Sequence, residues 1–395
     1  MRITIVGPAH PYKGGIAQHT TELAHRLRAA GHDVTIESWS EQYPARLYPG
    51  QQKVAEPEGE PFEPTWHPLS WRRPDGWARL GRRLAGRADA VVLVVVTPVQ
   101  APAYLGILAG LRAGRRRRSD GSAGPTPAVL ALCHNVLPHE RRRFDVPLTR
   151  AVLRRVDAVL VHTGAEAARA RELTPRPVAL APLAPHFAGA SGPGPGPGPG
   201  PGSGSGPGGE AKREPTGRLL FFGLVRPYKG LDVALRALAM APADVTLTVA
   251  GEFWGGVEST EVLVDKLGLG DRVDLRPGYV AAADVPKLFA DVDALVLPYR
   301  SGTASQNVDL AFHHGVPVIA TTVGTLGERV RDGVDGFLVP PGDADALAAA
   351  IRRLYEPGRW RALRSAVHSA DPAVAWDQYV ETVLSALSGG ITTVR

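Results

Sequence analysis

Two doubly wound α/β domains in series are what this sequence predicts, and three observations predict it. Apolar runs of strand length alternate with helical segments along both halves of the chain. A stretch of almost pure Gly, Pro and Ser, Gly189 to Gly209, separates the halves. The length, 395 residues, exceeds what one hydrophobic core usually supports.

In the first half, Arg2 to Gly7 reads as an apolar strand. Gly15 to Ala30 follows as a helix, with Ile16, Leu23 and Leu27 at helical spacing and Gly31 at its end. Asp33 to Glu37 is the next strand, followed further on by Val91 to Val96, Ala128 to Cys133 and Ala158 to Val161. In the second half the strands are Leu219 to Phe222, Val245 to Ala250, Val273 to Leu275, Ala294 to Leu297 and Val318 to Ala320, with helices between them. Such alternation implies parallel sheets with right-handed crossovers. Two sheets of this kind are expected to form a cleft lined by the carboxyl ends of their strands.

The Gly189 to Gly209 stretch, with its Gly-Pro repeat from Gly192 to Gly202, has no side chains with which to bury surface. It reads as a disordered, partly extended linker, and its period of two excludes collagen. The boundaries expected are 1–186, a linker or insertion at 187–216, 217–372, and a last helix within 373–395.

An apolar fraction of 44% and a charged fraction of 21% describe an ordinary globular chain. The single cysteine, Cys133, excludes an internal disulfide and fits a reducing cytoplasm. Ile3 to Val6 is too short for a secretion signal. Val91 to Leu111 is almost wholly apolar, but Pro98, Gln100 and Pro102 interrupt it. It therefore reads as a strand buried on both faces and a short helix, Ala103 to Leu111, rather than a membrane span. The net charge is +6, with arginines bunched at Arg115 to Arg118 and Arg141 to Arg143. These runs suit solvated loops or peripheral contact with an anionic membrane at its inner face. They lack the interleaved aromatics and motifs of a nucleic-acid binder.

Chemistry concentrates at turns that follow strands. Gly7 to Gly15 ends in a glycine pair, Gly14-Gly15, at a helix start, where backbone N–H groups can approach an anion; a plain tight turn would look the same. In the second half, the turn Gly223-Leu224-Val225-Arg226-Pro227-Tyr228-Lys229-Gly230 carries two cations within four residues. Arg226 as a fork and Lys229 as a point charge suit a diphosphate, against the alternative of a chance basic turn. A third segment, Tyr299 to Asn307, places Ser301, Thr303 and Ser305 at alternate positions before a helix that ends near His314. One hydroxyl would suffice for a helix cap; three offer donors to a phosphate or ribose. No metal-ligand spacing is present.

Taken in order, these segments resemble the retaining nucleotide-sugar glycosyltransferases of family 4. The residues carrying the resemblance are Gly14-Gly15, Gly31-His32-Asp33-Val34, His134-Asn135, the turn Gly223 to Gly230, and Ala250-Gly251-Glu252. Further on come Gly278-Tyr279-Val280, Gly315 to Ala320, Val323 to Glu328, Asp332-Gly333, Gly336 to Val339 and Trp376-Asp377. The resemblance implies the GT-B fold, an α/β architecture of two Rossmann-like domains facing across a cleft. Residues 1–186 would be the acceptor domain and 217–372 the nucleotide-sugar domain, with the last helix, Ala375 to Leu387, packing back on the first. It implies a UDP- or GDP-linked sugar as donor, a glycan or lipid-linked acceptor, no cofactor and no metal. The residues so assigned are Arg226 and Lys229 on the diphosphate, His134 on the donor sugar, and Gly15 with Gly14, Ser301, Thr303 and Ser305 around the phosphates. Gly278, Tyr279 and Val280 would meet the base and Glu328 the ribose, or cap its own helix. His10, His139 and His186 are weaker candidates of the kind of His134, each equally readable as a structural histidine.

Two departures from the family stand out. Its turn carries Arg directly after the glycine, where this chain has Leu224. Its pair of glutamates is absent: counting back from Gly315 puts Gly302 and Leu310 at those positions, with Asp309 beside the second. The hydroxyl-rich run instead resembles a Ser-Ala-Thr-Gln-Ser-Gly variant in a branch that elongates surface polysaccharides. Retaining transfer is the first reading; a nucleotide-sugar binder without turnover and an epimerase or phosphorylase on the same fold are the others.

Overall fold

The computed structural model describes residues 1–44, 52–55, 57–114, 126–138, 142–186, 213–302 and 305–390. Arg115 to Arg118, His139, Arg141, Gly189 to Gly209 and Thr303 lie outside them. The chain divides into two compact units, Met1–His186 with Pro372–Arg395, and Phe187–Asp371.

Unit 1 runs β1 (Arg2–Val6), α1 (Gly15–Ala29), β2 (Asp33–Glu41), β3 (Thr65–Ser70), α2 (Pro74–Leu84), β4 (Ala90–Val95), α3 (Ala101–Ala113), β5 (Ala128–Cys133), α4 (Asp145–Leu153), β6 (Ala158–Val161), α5 (Gly164–Leu173) and β7 (Val178–Leu180). Its seven strands form one parallel sheet in the order β3-β2-β1-β4-β5-β6-β7. All six residues of β4 are buried, as a central strand covered on both faces requires.

The apolar Val91 to Leu111 run divides into β4, a short turn at Pro98–Gln100 and α3. The helix starts two residues earlier than the spacing predicts, because Pro102 falls in its first turn, where a missing N–H costs nothing. Helix α3 packs so closely on α2 that a Cβ at Gly110 would lie 2.2 Å from the Ala78 carbonyl oxygen. Among the described residues no helix is long and apolar enough to cross a membrane.

Unit 2 runs β8 (Arg218–Phe222), α6 (Leu231–Ala239), β9 (Thr246–Gly251), α7 (Glu258–Lys266), β10 (Val273–Pro277), α8 (Val285–Ala290), β11 (Ala294–Leu297), α9 (Asn307–His313), β12 (Val318–Thr321), α10 (Leu326–Arg329), β13 (Gly336–Val339), α11 (Ala344–Leu354) and α12 (Arg359–Ala366). Its six parallel strands are ordered β10-β9-β8-β11-β12-β13. The order reverses between β1 and β4 in unit 1 and between β8 and β11 in unit 2. At such switch points the loops leaving adjacent strands diverge, and ligands of open α/β sheets bind there.

A last helix, α13 (Pro372–Leu387), belongs to unit 1. Its Trp376, Tyr379 and Val383 join the core of Ile3, Leu23 and Leu160, and the Trp376 indole N–H donates to the Pro185 carbonyl at 2.6 Å.

Candidate functional site

In unit 2 the basic turn is tied to its neighbours before any side chain acts. The Gly223 N–H donates to the Ala250 carbonyl at 2.9 Å and the Val225 N–H to the Glu252 carbonyl at 2.7 Å. Residues Pro227–Lys229 then make one short helical turn and Gly230 enters α6 with φ 69°. Glycine is required there twice over, by the left-handed backbone and because a Cβ would stand 2.1 Å from the Pro298 carbonyl oxygen. From the loop after β11, the Arg300 N–H donates to the Tyr228 carbonyl at 2.7 Å, and its guanidinium grips Asp232 in the first turn of α6 at 2.6 and 2.7 Å. The hydrogen bonds from Arg300 hold the Asp232 carboxyl below the usual range.

The two cations of the turn part company. Lys229 carries its Nζ 5.2 Å from the centre of the Tyr299 ring, and 3.5 Å from where a Cβ of Gly223 would stand. The Asn307 side-chain nitrogen lies 3.7 Å from that same point. Arg226 instead stacks its guanidinium on Trp254, 4.4 Å from the ring centre, and lines a cavity of about 300 Å³ with Leu235, Phe253 and Leu263. Each cation thus has its own aromatic seat, an arrangement different from the two-pronged clamp that their spacing suggests.

The hydroxyl run is divided as well. Ser305 accepts the Asn307 N–H on its Oγ at 3.3 Å, a local turn contact just before α9, and donates its own N–H to the Thr325 Oγ1 at 3.3 Å. Ser301 is exposed and Thr303 lies outside the described residues. Gly278, with φ 129°, donates its N–H to the Gly251 carbonyl at 3.0 Å. Tyr279 and Val280 are half-buried beside it, and Glu328 is exposed on α10.

Neither position of the missing glutamates carries an acid, and Asp309 does not take their place. Its carboxylate is 11% exposed and receives the Arg329 guanidinium at 2.9 Å. Burial pushes this carboxyl up, and Arg329 opposes the shift. Leu310 packs on the core formed by Leu297 and Val308.

In unit 1, Gly14 precedes α1 with φ 89° and donates its N–H to the Glu58 carboxylate at 3.0 Å. A protein carboxylate thus occupies one of the donors expected to meet an anion. Gly15 opens α1, and a Cβ there would approach the His186 Nε2 to 3.1 Å. His10 sits at the bend after β1, and its carbonyl meets the His67 Nε2 at 2.9 Å.

His134 follows β5, is 8% exposed, and forms part of a buried histidine cluster. His19, which is fully buried, packs its ring 5.0 Å from that of His134, 5.1 Å from His186 and 6.0 Å from His162. Trp376 and Tyr379 of α13 lie at 5.1 and 5.0 Å from the His19 ring. Both ring nitrogens of His19, and the Nε2 of His134 and His162, have no hydrogen-bond partner among the described residues. Burial lowers the basicity of all four rings, to about 4 for His162 and His186 and well below the ordinary value for His19 and His134. Among the described residues no group of three or more His, Cys, Asp or Glu is arranged to hold a metal ion.

Comparison with known proteins gives this geometry its context. Residues 14–186 match the family described as Glycosyl transferase 4-like domain, and residues 216–357 that described as Glycosyl transferases group 1. Both halves of the chain are glycosyltransferase-family domains. A D-inositol 3-phosphate glycosyltransferase of Mycobacterium marinum is 33% identical over 171 residues, which are 42% of this chain and 36% of that protein. The chain thus spans little more than a third of the length of this curated relative. Among solved structures, the sucrose-phosphate synthase of Thermosynechococcus elongatus aligns at TM-score 0.67 and 20% identity, covering 98% of this chain and 100% of the other. The Anabaena HepE in complex with UDP aligns at TM-score 0.67 and 16% identity, over the same shares. At these identities the structures establish the fold, two Rossmann-like domains of the GT-B type.

Within these glycosyltransferase-family domains, sequence reasoning overlooked Tyr299 as the ring beneath the Lys229 ammonium and Asn307 as the residue that bonds Tyr299 and the Phe222 carbonyl. Both lie inside the Tyr299 to Asn307 segment, but nothing in their spacing shows that they reach the other turn. It also overlooked His19, for which a signal existed. His19 falls three residues after Ile16 and four before Leu23, on the apolar face of α1.

Proposed function

We propose that the chain transfers a hexose-type sugar from a UDP- or GDP-linked donor to a hydroxyl of a glycan or lipid-linked acceptor, with retention. Cell-surface polysaccharide or glycolipid assembly is the setting that fits, with the chain cytoplasmic and in peripheral contact with an anionic inner membrane face through its arginine-rich segments. The hydroxyl-rich run from Ser301 supports membership of the branch that has such a run in place of paired glutamates.

The observation that carries the reading is the Lys229 ammonium beside Gly223, at the carboxyl end of β8 and next to the switch point with β11. In the transfer, the bond from the anomeric carbon to the diphosphate oxygen breaks and a bond to the acceptor oxygen forms on the same face. The acceptor proton passes to a phosphate oxygen of the leaving group, and nothing is oxidised or reduced. Lys229 then stabilises the charge gathering on the diphosphate, a role for which no protein nucleophile and no metal is needed. Arg226 on its Trp254 seat adds positive potential at the same turn, and Ser301, Thr303 and Ser305 complete the phosphate surroundings. Gly278, Tyr279 and Val280 are proposed to meet the base and Glu328 the ribose. In unit 1, Gly15 and His134 are proposed donor contacts.

A second reading, a nucleotide-sugar binder with little turnover, is favoured by one observation. Gly302 and Leu310 stand where the family carries glutamates, and the nearby Asp309 is engaged by Arg329. Release of nucleoside diphosphate from UDP- and GDP-sugars, with and without glycan acceptors, tests both. Transfer that falls about 100-fold or more in Lys229→Ala with an unchanged melting temperature supports the first reading. Donor binding without transfer supports the second, and unchanged transfer in Lys229→Ala overturns the assignment.

A further inference from the structure

Lysine is a flexible four-carbon stem bearing a point charge, so an ammonium that must meet one phosphate needs a wall and a seat to hold it. The wall here is Gly223, the glycine that follows β8. The seat is the ring of Tyr299, a residue 4% exposed just after β11. Tyr299 is itself fixed at both ends. The Thr321 hydroxyl donates to its carbonyl at 2.7 Å from the end of β12, and the Asn307 Nδ2 donates to its hydroxyl at 3.3 Å. The other hydrogen of that Asn307 amide goes to the Phe222 carbonyl at 3.0 Å. One amide at the start of α9 therefore joins the last residue of β8 to the residue that seats the ammonium, across the switch point.

We infer that Asn307 and Tyr299 are positioning residues for Lys229, which set where its ammonium stands relative to the outer phosphate of a bound nucleoside diphosphate. The inference rests on the transfer reading and deepens it. The competing account is that Asn307 merely staples two loops, and the two accounts differ in what each predicts for different ligands. A loop staple supports nucleoside and diphosphate alike, whereas a positioned ammonium supports only the outer phosphate.

The test uses the full chain and measures calorimetric affinities for UDP against UMP and for GDP against GMP. Variants are Lys229→Ala, Tyr299→Leu, Tyr299→Phe, Asn307→Ala and the double variant Lys229→Ala with Asn307→Ala. Tyr299→Phe keeps the packing and the seat while losing the hydroxyl, which guards against a trivial loss of fold. Lys229→Ala is expected to lower the diphosphate-to-monophosphate affinity ratio by about 10-fold or more. Tyr299→Leu should approach that loss, with Asn307→Ala and Tyr299→Phe in between. In the double variant Asn307→Ala should add little, because the group it positions is gone. The inference is overturned if Asn307→Ala and Tyr299→Leu lower both affinities equally, or if Asn307→Ala adds in full to Lys229→Ala. A ratio unchanged in Lys229→Ala itself would instead overturn the diphosphate assignment, and the positioning with it. A ratio that falls in Lys229→Ala and stays constant in the other variants sinks the positioning alone.

Discussion

The Arg300 guanidinium meets the Asp232 carboxylate through paired hydrogen bonds of 2.6 and 2.7 Å, joining the loop after β11 to the first turn of α6. Arg300 also donates to the Pro227 carbonyl at 3.3 Å, so a single side chain braces the turn that carries Lys229.

Arg300 is 40% exposed, so the pair should contribute little to global stability and more to the geometry of the turn. Arg300→Lys replaces a fork with a point charge and cannot make both bonds. The expected outcome is a melting temperature close to wild type, with nucleotide-dependent stabilisation clearly reduced. Thermal unfolding with and without UDP or GDP measures both, and an unchanged nucleotide-dependent increment would remove the bracing role.

The histidine cluster predicts an acid-labile unit 1. His19, His134, His162 and His186 all have folded basicities below the ordinary value, through burial. Below about pH 6.5 the unfolded chain therefore binds protons that the folded chain refuses. Stability contributed by these neutral rings is fully present above that pH and declines as the pH falls toward about 4, the value for His162 and His186. Urea unfolding followed between about pH 7.5 and pH 5 should show the midpoint level above about pH 6.5 and falling below it. His19→Phe should flatten the slope at little cost near neutrality, since it removes two ring nitrogens that lack partners among the described residues. A midpoint constant across that range would mean the rings are not held neutral.

Gly110→Leu should disrupt unit 1, because even its Cβ would stand 2.2 Å from the Ala78 carbonyl oxygen and force α2 and α3 apart. Overpacking of this kind typically costs ~1–3 kcal/mol, and a backbone clash places the substitution at the upper end or beyond. Soluble yield and melting temperature read it directly; a wild-type melting temperature would show that the two helices separate freely.

Arg329→Met should cost about 3 kcal/mol, because it leaves the 11%-exposed Asp309 carboxylate without its partner. The double variant Arg329→Met with Asp309→Leu should recover much of the loss, since no charge is then buried. Comparison of the two melting temperatures decides the matter; equal values would mean that Asp309 is not held charged by Arg329.

The two-unit architecture and most of its strands are legible from residue spacing alone. Strands β1, β4, β5, β6, β8 and β11 are short apolar runs between helical segments, and their length, with Val, Ile or Phe content and flanking breakers, separates them from buried helices. The glycine-bearing turns after β1 and β8 were equally legible, because backbone conformation at a strand-to-helix turn is a local property. Strand β3 escaped notice since Pro68 and His67 interrupt its pattern, and only an edge with a register shift against β2 tolerates them. Strand β7, three residues long, carries too little pattern to be seen.

What tertiary structure alone decided is which side chains meet. Arg226 and Lys229 are three residues apart in sequence yet sit on Trp254 and Tyr299, from loops that follow different strands. His19, His134, His162 and His186 come from four separate segments and become one cluster only when α13 closes over them with Trp376 and Tyr379. The physical reason is common to both cases. Strand and turn formation depend on spacing within a few residues, whereas side-chain contacts and the loss of water around them depend on chain segments that only packing brings together.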